Sequence, residues 1–151
     1  MTRIRYATDA ELDLDTFIGL YRASTLGERR PVDDRGAMAD MLAHADLLVT
    51  AWNGARLVGL ARTLTDWSYA AYLSDLAVDA AYQRRGIGVG LVRATRAALG
   101  PRCTLILLAA PAAVDYYPKI GFTPHPSAWI LRPGDPLPGD AREGAPAKER
   151  P

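Results

Sequence analysis

The chain has 151 residues and a formal net charge of +1, and 49% of its residues are hydrophobic. This length predicts one domain whose core is large enough to fold without a disulfide or a metal. The small net charge argues against bulk binding of nucleic acid or of an acidic membrane surface. A single cysteine, Cys103, excludes an internal disulfide, and no apolar run is long enough to span a bilayer. We therefore expect a cytoplasmic protein, and the separated His44 and His125 predict no metal site.

The N-terminal part of the chain predicts one strand and two helices. Residues 3–7 alternate polar and apolar side chains, which is typical of a strand. Residues 9–24 have the apolar spacing of a helix, with Phe17, Leu20, Tyr21 and Ser24 on one side. Asp33 is the predicted N-cap of a second helix that ends near residue 45.

An antiparallel meander follows in the prediction. Residues 47–52 and 56–64 form two apolar strands joined by Asn53-Gly54, a dipeptide that favours a type I′ hairpin turn. Residues 69–78 form the third strand.

The second half predicts a helix that connects two parallel strands. Residues 87–99 have a helical apolar stripe, and the continuous apolar run 103–109 predicts a strand covered on both faces. A strand joined to its predecessor through a helix runs parallel to it. A short helix over 112–119 and one or two short strands within 122–131 complete the prediction, and the Pro-, Gly- and charge-rich residues from 133 onward predict a mobile tail.

A basic, glycine-rich loop lies between the third strand of the meander and the helix that follows. It consists of Gln83-Arg84-Arg85-Gly86-Ile87-Gly88-Val89-Gly90. Glycines let backbone N–H groups approach an anion closely, and the helix start adds unpaired N–H donors. A dinucleotide-binding loop requires a third glycine where Leu91 stands, and the Gly-Lys-Ser/Thr of a nucleotide P-loop is absent. The loop therefore predicts a phosphate site of another type.

Two motifs resemble those of the GNAT N-acetyltransferase superfamily. Residues 83–88 match its pyrophosphate-binding Gln/Arg-x-x-Gly-x-Gly signature, and Tyr117-Pro118-Lys119-Ile120-Gly121-Phe122 matches a second motif. The resemblance implies an α/β fold: a central, mostly antiparallel mixed sheet with one splayed parallel strand pair, flanked by about four helices. It assigns residues 4–132 to a GNAT domain and leaves 133–151 as the tail.

This resemblance implies an acetyl-CoA-dependent N-acetyltransferase that needs no metal. A primary amine of a small molecule or peptide attacks the thioester directly in a ternary complex, and dimers are common in the family. Backbone N–H groups near Leu76 polarise the thioester carbonyl. Tyr117 protonates the leaving thiolate, since a phenol with a reference pKa of about 10 is a neutral donor. The implied residues that bind coenzyme A are Leu76, Ala77, Val78, Gln83, Arg84, Arg85, Gly86, Ile87, Gly88, Val89 and Gly90.

The general base is less clear than the other roles. The family often places Glu or His at the positions of Tyr72 or Ser74, and neither residue here is a good base. Asp75 is the candidate base on this strand, although a regular strand turns its side chain to the other face, so that only a bulge re-aims it. A structural role for this carboxylate is one alternative. A water chain in place of a base is another, and His125, Asp33 and Asp34 are further candidates for the base.

Other functions and other pocket residues stay open at this point. A non-catalytic acyl-CoA-binding or sensor domain on the same fold is one alternative, and a toxin–antitoxin-like interaction partner with a vestigial loop is another. The acceptor pocket is expected to draw on residues 25–34, on the turn 66–69 or on a partner subunit. Within the first segment, Arg29 and Arg30 either bind a substrate carboxylate or are simply solvated.

Overall fold

The computed structural model describes residues 3–140 and divides the chain into two compact units, Met1–Asp115 and Tyr116–Pro151. The predicted boundary between a domain over 4–132 and a tail over 133–151 stays a prediction. Residues 141–151 of that tail lie outside the described residues.

The first unit contains a five-stranded mixed sheet with the strand order β1-β2-β3-β4-β5. The pairs from β1 to β4 are antiparallel, and β4 and β5 are parallel. One parallel pair in an otherwise antiparallel sheet confirms the predicted fold class. The strands are β1 (Arg5–Ala7), β2 (Leu47–Asn53), β3 (Arg56–Thr65), β4 (Ala70–Val78) and β5 (Thr104–Ile106).

Among the described residues, three α-helices belong to the first unit, and a short fourth begins the second unit. They are α1 (Leu14–Ala23), α2 (Arg35–Ala43), α3 (Ile87–Leu99) and α4 (Tyr116–Lys119). An aspartate caps each of the first two: Asp13 accepts from the Thr16 N–H at 2.7 Å, and Asp34 accepts from the Ala37 N–H at 3.0 Å. The cap predicted at Asp33 is therefore wrong by one residue, and the Asp33 carboxylate instead pairs with Arg22 at 2.9 Å.

The helices of the first unit cover both faces of the sheet. α1 packs on β3 and β4 and also contacts α2, whereas α3 packs against β1 to β4. Leu60 of β3 and Ala77 of β4 face the α1 side. Because strand side chains alternate, Gly59, which directly precedes Leu60, faces α3. On the α1 side, the predicted inward residues of that helix are all buried, and Met38 of α2 packs with them.

The β2–β3 hairpin forms as predicted, but with a different turn. The last strand pair joins Asn53 to Arg56, so the two-residue loop is Gly54-Ala55. Only Gly54, with φ +60°, has a positive φ in this loop. A positive φ at the first central residue alone is the pattern of a type II′ turn, so the predicted type I′ turn is wrong.

The chain after α3 contains less regular structure than predicted. β5 is confirmed as parallel to β4, but it has three residues in place of the predicted seven over 103–109, and Ile106 is 52% exposed. The predicted covering of both faces is therefore wrong, and Cys103 is half-buried just before the strand. In place of one helix over 112–119 there is a 3-10 turn, Pro111–Ala113, followed by α4. Within the described residues, the predicted strands of 122–131 do not form.

Candidate functional site

β4 has a strand partner on its β5 side for only part of its length. Its parallel pairing joins Ala70, Ala71 and Tyr72 to the three residues of β5. From there β4 runs on to Val78, and the described residues contain no strand partner for that stretch on this side. Two parallel strands that part in this way leave a strand edge open at the C-terminal end of β4.

The hydrogen-bond alternation of the β3–β4 ladder determines which N–H groups face this open edge. The Asp79 N–H donates to the Val58 carbonyl at 2.9 Å, which makes those two residues a hydrogen-bonded pair. Hydrogen-bonded and non-bonded pairs alternate along an antiparallel ladder. Leu76 and Val78 are therefore in non-bonded pairs with β3, and their N–H groups point away from β3 toward the open edge.

The glycine-rich loop connects this edge to α3 through two left-handed residues. Arg84 has φ +62° and Gly86 has φ +78°. A left-handed residue costs an L-amino acid roughly 1–2 kcal/mol, whereas glycine adopts this conformation without that cost. Left-handed residues within a short loop turn successive backbone N–H groups toward one side, which is how anion-binding concavities form.

α3 begins without the side-chain cap that α1 and α2 possess. Its N-cap residue is Gly86, which makes no side-chain hydrogen bond to the first turn. The first helical bond runs from the Gly90 N–H to the Gly86 carbonyl at 3.1 Å, so the N–H groups of residues 87–89 precede it. Free donors at the positive end of a helix are a place where an anion binds.

Aromatic and basic side chains pack beside the loop. The Arg85 guanidinium lies 5.0 Å and the Arg56 guanidinium 5.4 Å from the centre of the Tyr82 ring. Arg56 also pairs with Asp79 at 2.8 Å, whereas Arg84 and Arg85 are exposed. Gln83, by contrast, donates to the Val78 carbonyl at 3.4 Å. The structure thus brings the predicted loop residues together, with two exposed guanidiniums and a glutamine tied back to β4.

The candidate base Asp75 lies on the α1 side of the sheet and is 1% exposed. A β-bulge causes this orientation: Asp75 pairs with Arg62 and Leu73 with Thr63, so Ser74 has no partner on β3. The Asp75 carboxylate accepts from three side chains, all within 2.6 Å: the Tyr21 hydroxyl and the Nε atoms of Arg30 and Arg62. Both carboxylate oxygens are thus engaged, which favours the structural role, and the base assignment stays a prediction.

This environment changes the proton affinity of the neighbouring groups. Burial raises the pKa of Tyr21 far above its ordinary value, and the adjacent Asp75 carboxylate raises it further. Burial acts to lower the pKa of Arg62, but the Asp75 carboxylate outweighs that effect and the net shift is upward. Tyr21 is therefore a neutral donor, and Arg62 is a cation, over the whole physiological pH range.

Two side chains that the sequence placed in the loop before α2 have different environments. Arg29 is exposed, but Arg30 is half-buried, and its guanidinium pairs with Asp75 and donates to the Ser74 carbonyl at 2.8 Å. A simply solvated Arg30 is thus ruled out. The sequence did not predict this contact, because residues 45 positions apart leave no local signal of their pairing.

Tyr117, the predicted proton donor, belongs to the second unit. Its ring makes edge contacts with the rings of Tyr116 and Phe122, with centroids 5.3 Å and 5.4 Å away. The Phe122 N–H donates to the Tyr117 carbonyl at 3.1 Å, which closes the turn after α4. The role of the Tyr117 hydroxyl stays a prediction.

Residues 3–140 contain no group of three or more His, Cys, Asp and Glu side chains that is arranged to hold a metal ion. Over the same residues, none of the helices has the length and apolar character needed to cross a membrane.

Comparison with known proteins gives a family match over most of the chain. Residues 30–130 match the model of the acetyltransferase (GNAT) domain. The chloroplastic GCN5-related N-acetyltransferase 2 of Arabidopsis thaliana is 36% identical over 73 residues, which are 47% of this chain. The matched part spans 28% of that relative's length.

Solved structures share the fold over nearly their whole length. A probable acetyltransferase from methicillin-resistant Staphylococcus aureus has a TM-score of 0.71 at 21% identity, with 86% of this chain and 98% of that one covered. A GNAT family protein from Streptococcus pneumoniae has a TM-score of 0.64 at 24% identity, over 86% and 99% of the two chains. An aminoglycoside acetyltransferase from an uncultured soil sample, solved with sisomicin, has a TM-score of 0.64 at 23% identity, over 85% and 94%.

Proposed function

Because the chain belongs to the GNAT acetyltransferase family, we propose that it transfers an acetyl group from acetyl-CoA to an amine of a small molecule or peptide. The observation that carries this proposal is the open edge of β4, which is followed by the basic, glycine-rich loop and the uncapped start of α3. The N–H groups at the edge of β4 can thus bind the amides of an extended ligand, and the N–H groups at the start of α3 can bind a diphosphate. We include a cytoplasmic location and a homodimer in the proposal.

In this proposal the two halves of coenzyme A bind to different parts of one segment. The pantetheine amides pair with the Leu76 C=O and the Val78 N–H at the open edge, which is a form of strand addition and leaves the Leu76 N–H for the thioester carbonyl. The diphosphate accepts from the N–H groups of residues 84–89, which precede the first helical bond, and Arg84 and Arg85 add charge-assisted contacts. Gln83 acts indirectly, because its side chain holds the loop against the Val78 carbonyl.

The chemistry requires stabilisation of one developing charge and transfer of two protons. The acceptor nitrogen forms a bond to the thioester carbon, and the carbonyl oxygen becomes an oxyanion that the Leu76 N–H stabilises. The oxyanion then collapses to the amide carbonyl as the C–S bond breaks, Tyr117 donates its proton to the leaving thiolate, and the phenolate regains a proton from water. The amine proton leaves to water or to a base, and a water chain fills this role in the proposal because both oxygens of Asp75 are engaged.

Calorimetry with two acetyl donors tests whether the loop binds the diphosphate. Arg85→Glu places a carboxylate where the proposal places that group, so we expect its affinity for acetyl-CoA to fall about tenfold or more. Acetyl-pantetheine lacks the diphosphate, and its weaker affinity should change less than about twofold. Arg96→Glu is the matched control, since this exposed arginine lies in the last turn of α3, and it should leave both affinities unchanged.

Two outcomes of this experiment separate the proposal from its alternatives. Absence of any heat with acetyl-CoA removes the enzymatic assignment and leaves an interaction protein with a vestigial loop. Binding without thiol release, across a panel of primary amines that includes aminoglycosides, favours the non-catalytic acyl-CoA-binding domain. The engaged state of Asp75 is the observation in favour of that second candidate.

A further inference from the structure

The proposed chemistry leaves one buried charged cluster unexplained. Tyr21, Arg30, Arg62 and Asp75 come from α1, from the connection before α2, from β3 and from β4. Their three hydrogen bonds converge on the carboxylate, with donor–acceptor distances of 2.5, 2.5 and 2.6 Å. The Asp75 side chain is 0% exposed, that of Arg62 is 9% exposed and that of Arg30 is 24% exposed. Arg30 is thus the member nearest to solvent.

The cluster also holds the bulged residue of β4. The Arg30 Nη2 donates to the Ser74 carbonyl, and the Arg62 Nη2 donates to the Ser74 hydroxyl, both at 2.8 Å. A residue that leaves the ladder has no strand partner for its backbone carbonyl, so another donor must satisfy that carbonyl. Arg30 supplies that donor while the same guanidinium pairs with Asp75, so one planar side chain bonds to two successive residues of β4.

The bulge determines the direction of the residues after it. Without it, the pairing of Leu73 with Thr63 would continue as Ser74 with Arg62, and every later residue of β4 would shift by one. A one-residue shift turns each side chain and each N–H group to the opposite direction. Asp75 would then face α3, and the Leu76 N–H would point toward β3. The contacts of Asp75 and Ser74 are compatible only with the bulged register.

We propose that Arg30 is a positioning residue for acetyl transfer: through Asp75 and the Ser74 carbonyl it fixes the bulge that turns the Leu76 N–H toward the thioester. This inference rests on the proposed function, since it gives Leu76 its role. The connection before α2 thereby gains a structural role, because Arg30 links it to β4 through hydrogen bonds to Ser74 and Asp75. Arg30 acts through β4 and touches neither the donor nor the acceptor.

Comparison of Arg30→Met with Arg35→Met tests the proposal. The two arginines are five residues apart, and each forms an ion pair with an aspartate. Arg35 pairs with the exposed Asp15 at 2.8 Å and does not contact β4. We expect Arg30→Met to lower kcat at least tenfold while the Kd for acetyl-CoA changes less than twofold, because the loop that holds the diphosphate is unaltered. Arg35→Met should leave both constants unchanged. The kcat of Arg30→Lys should lie between that of Arg30→Met and that of the wild type.

Amide hydrogen exchange of the peptide covering β4 supplies a readout that does not depend on activity. Residues 73–78 should exchange at least tenfold faster in Arg30→Met and at the wild-type rate in Arg35→Met. A folded Arg30→Met with kcat within twofold of wild type overturns the proposal, and so does unchanged exchange. If Arg30→Met fails to fold, Arg30→Gln is judged by the same two criteria. Failure of the wild type to bind acetyl-CoA would instead remove the proposed function, and the exchange result would still decide whether Arg30 holds the bulge.

Discussion

The hydrogen bond between Tyr21 and Asp75 requires that the buried Tyr21 phenol keeps its proton. The phenol is 0% exposed, and its hydroxyl donates to a carboxylate that two guanidiniums neutralise. Loss of the phenol proton would place a second negative charge beside Asp75 in a region with little solvent. The raised pKa of Tyr21, caused first by burial and then by Asp75, expresses this cost.

Tyr21→Phe is expected to lower the free energy of unfolding at pH 7 by about 1.5–3 kcal/mol, the usual contribution of a hydrogen bond to a charged group. It should also remove a pH dependence. Above about pH 10 the unfolded chain releases the Tyr21 proton and the folded protein keeps it, so the free energy of unfolding of the wild type falls from this group by about 1 kcal/mol between pH 10 and 11. Denaturant titrations at pH 7 and between pH 10 and 11 measure both effects.

Tyr69→Phe is the control for this experiment, because the Tyr69 side chain is 79% exposed. It should change neither the stability at pH 7 nor its slope above pH 10. A wild-type slope that persists in Tyr21→Phe would show that another group titrates.

At the scale of elements, α3 lies close to the sheet because small residues line the contact. A Cβ at Gly90 would overlap the hydroxyl and ring of Tyr6 on β1, and a Cβ at Gly59 on β3 would come within 3.0 Å of Ile87 and 3.1 Å of Leu91. The close contact fixes the start of α3, and with it the glycine-rich loop, relative to β4.

Gly90→Ala should therefore destabilise the protein by about 1–3 kcal/mol, which is the usual cost of overpacking. In a Tyr6→Ala background the same change should be neutral or stabilising by up to about 1 kcal/mol, since alanine favours the helix and the overlap is gone. Gly19→Ala on α1 is the matched control: a Cβ there meets nothing within 4 Å, so it should stabilise by about 0.5–1 kcal/mol. Equal effects of Gly90→Ala in both backgrounds would contradict the proposed overlap.

Elements with strong local signals were predictable from the sequence, and elements that depend on a partner were not. The bounds of α3 were predicted to the residue, because an apolar stripe begins after Gly86 and ends at Gly100-Pro101. The apolar run 103–109 gave no such guidance: β5 ends at Ile106, because a strand extends only as far as its partner pairs with it.

Of the candidate site, the loop was predictable from the sequence, and the buried cluster around Asp75 was not. The glycine pattern identified the loop before α3, whereas the orientation of Asp75 depended on a bulge and the role of Arg30 on contacts across the sheet. Neither the bulge nor these contacts has a sequence period that a pattern analysis detects.

At the scale of the whole molecule, the proposed functions fall in different units of the chain. The open edge of β4 and the loop before α3 belong to the unit that ends at Asp115, and Tyr117 belongs to the unit that follows. Coenzyme A affinity should therefore depend on the first unit, and protonation of the leaving thiolate on the second. A variant of Tyr117 then separates affinity from turnover.

Tyr117→Phe should lower kcat about 10²- to 10⁴-fold, the usual contribution of a positioned proton donor, and leave the Kd for acetyl-CoA within about twofold of wild type. The ring contacts with Tyr116 and Phe122 persist in this variant, so the fold of the second unit is retained. Tyr116→Phe is the matched control, since it removes a neighbouring hydroxyl from the same turn and should leave both constants unchanged. Thiol release measured at saturating acetyl-CoA, together with calorimetry, provides the two constants. Wild-type turnover in Tyr117→Phe would remove this hydroxyl from the mechanism without affecting the assignment of the loop, because the two depend on separate residues.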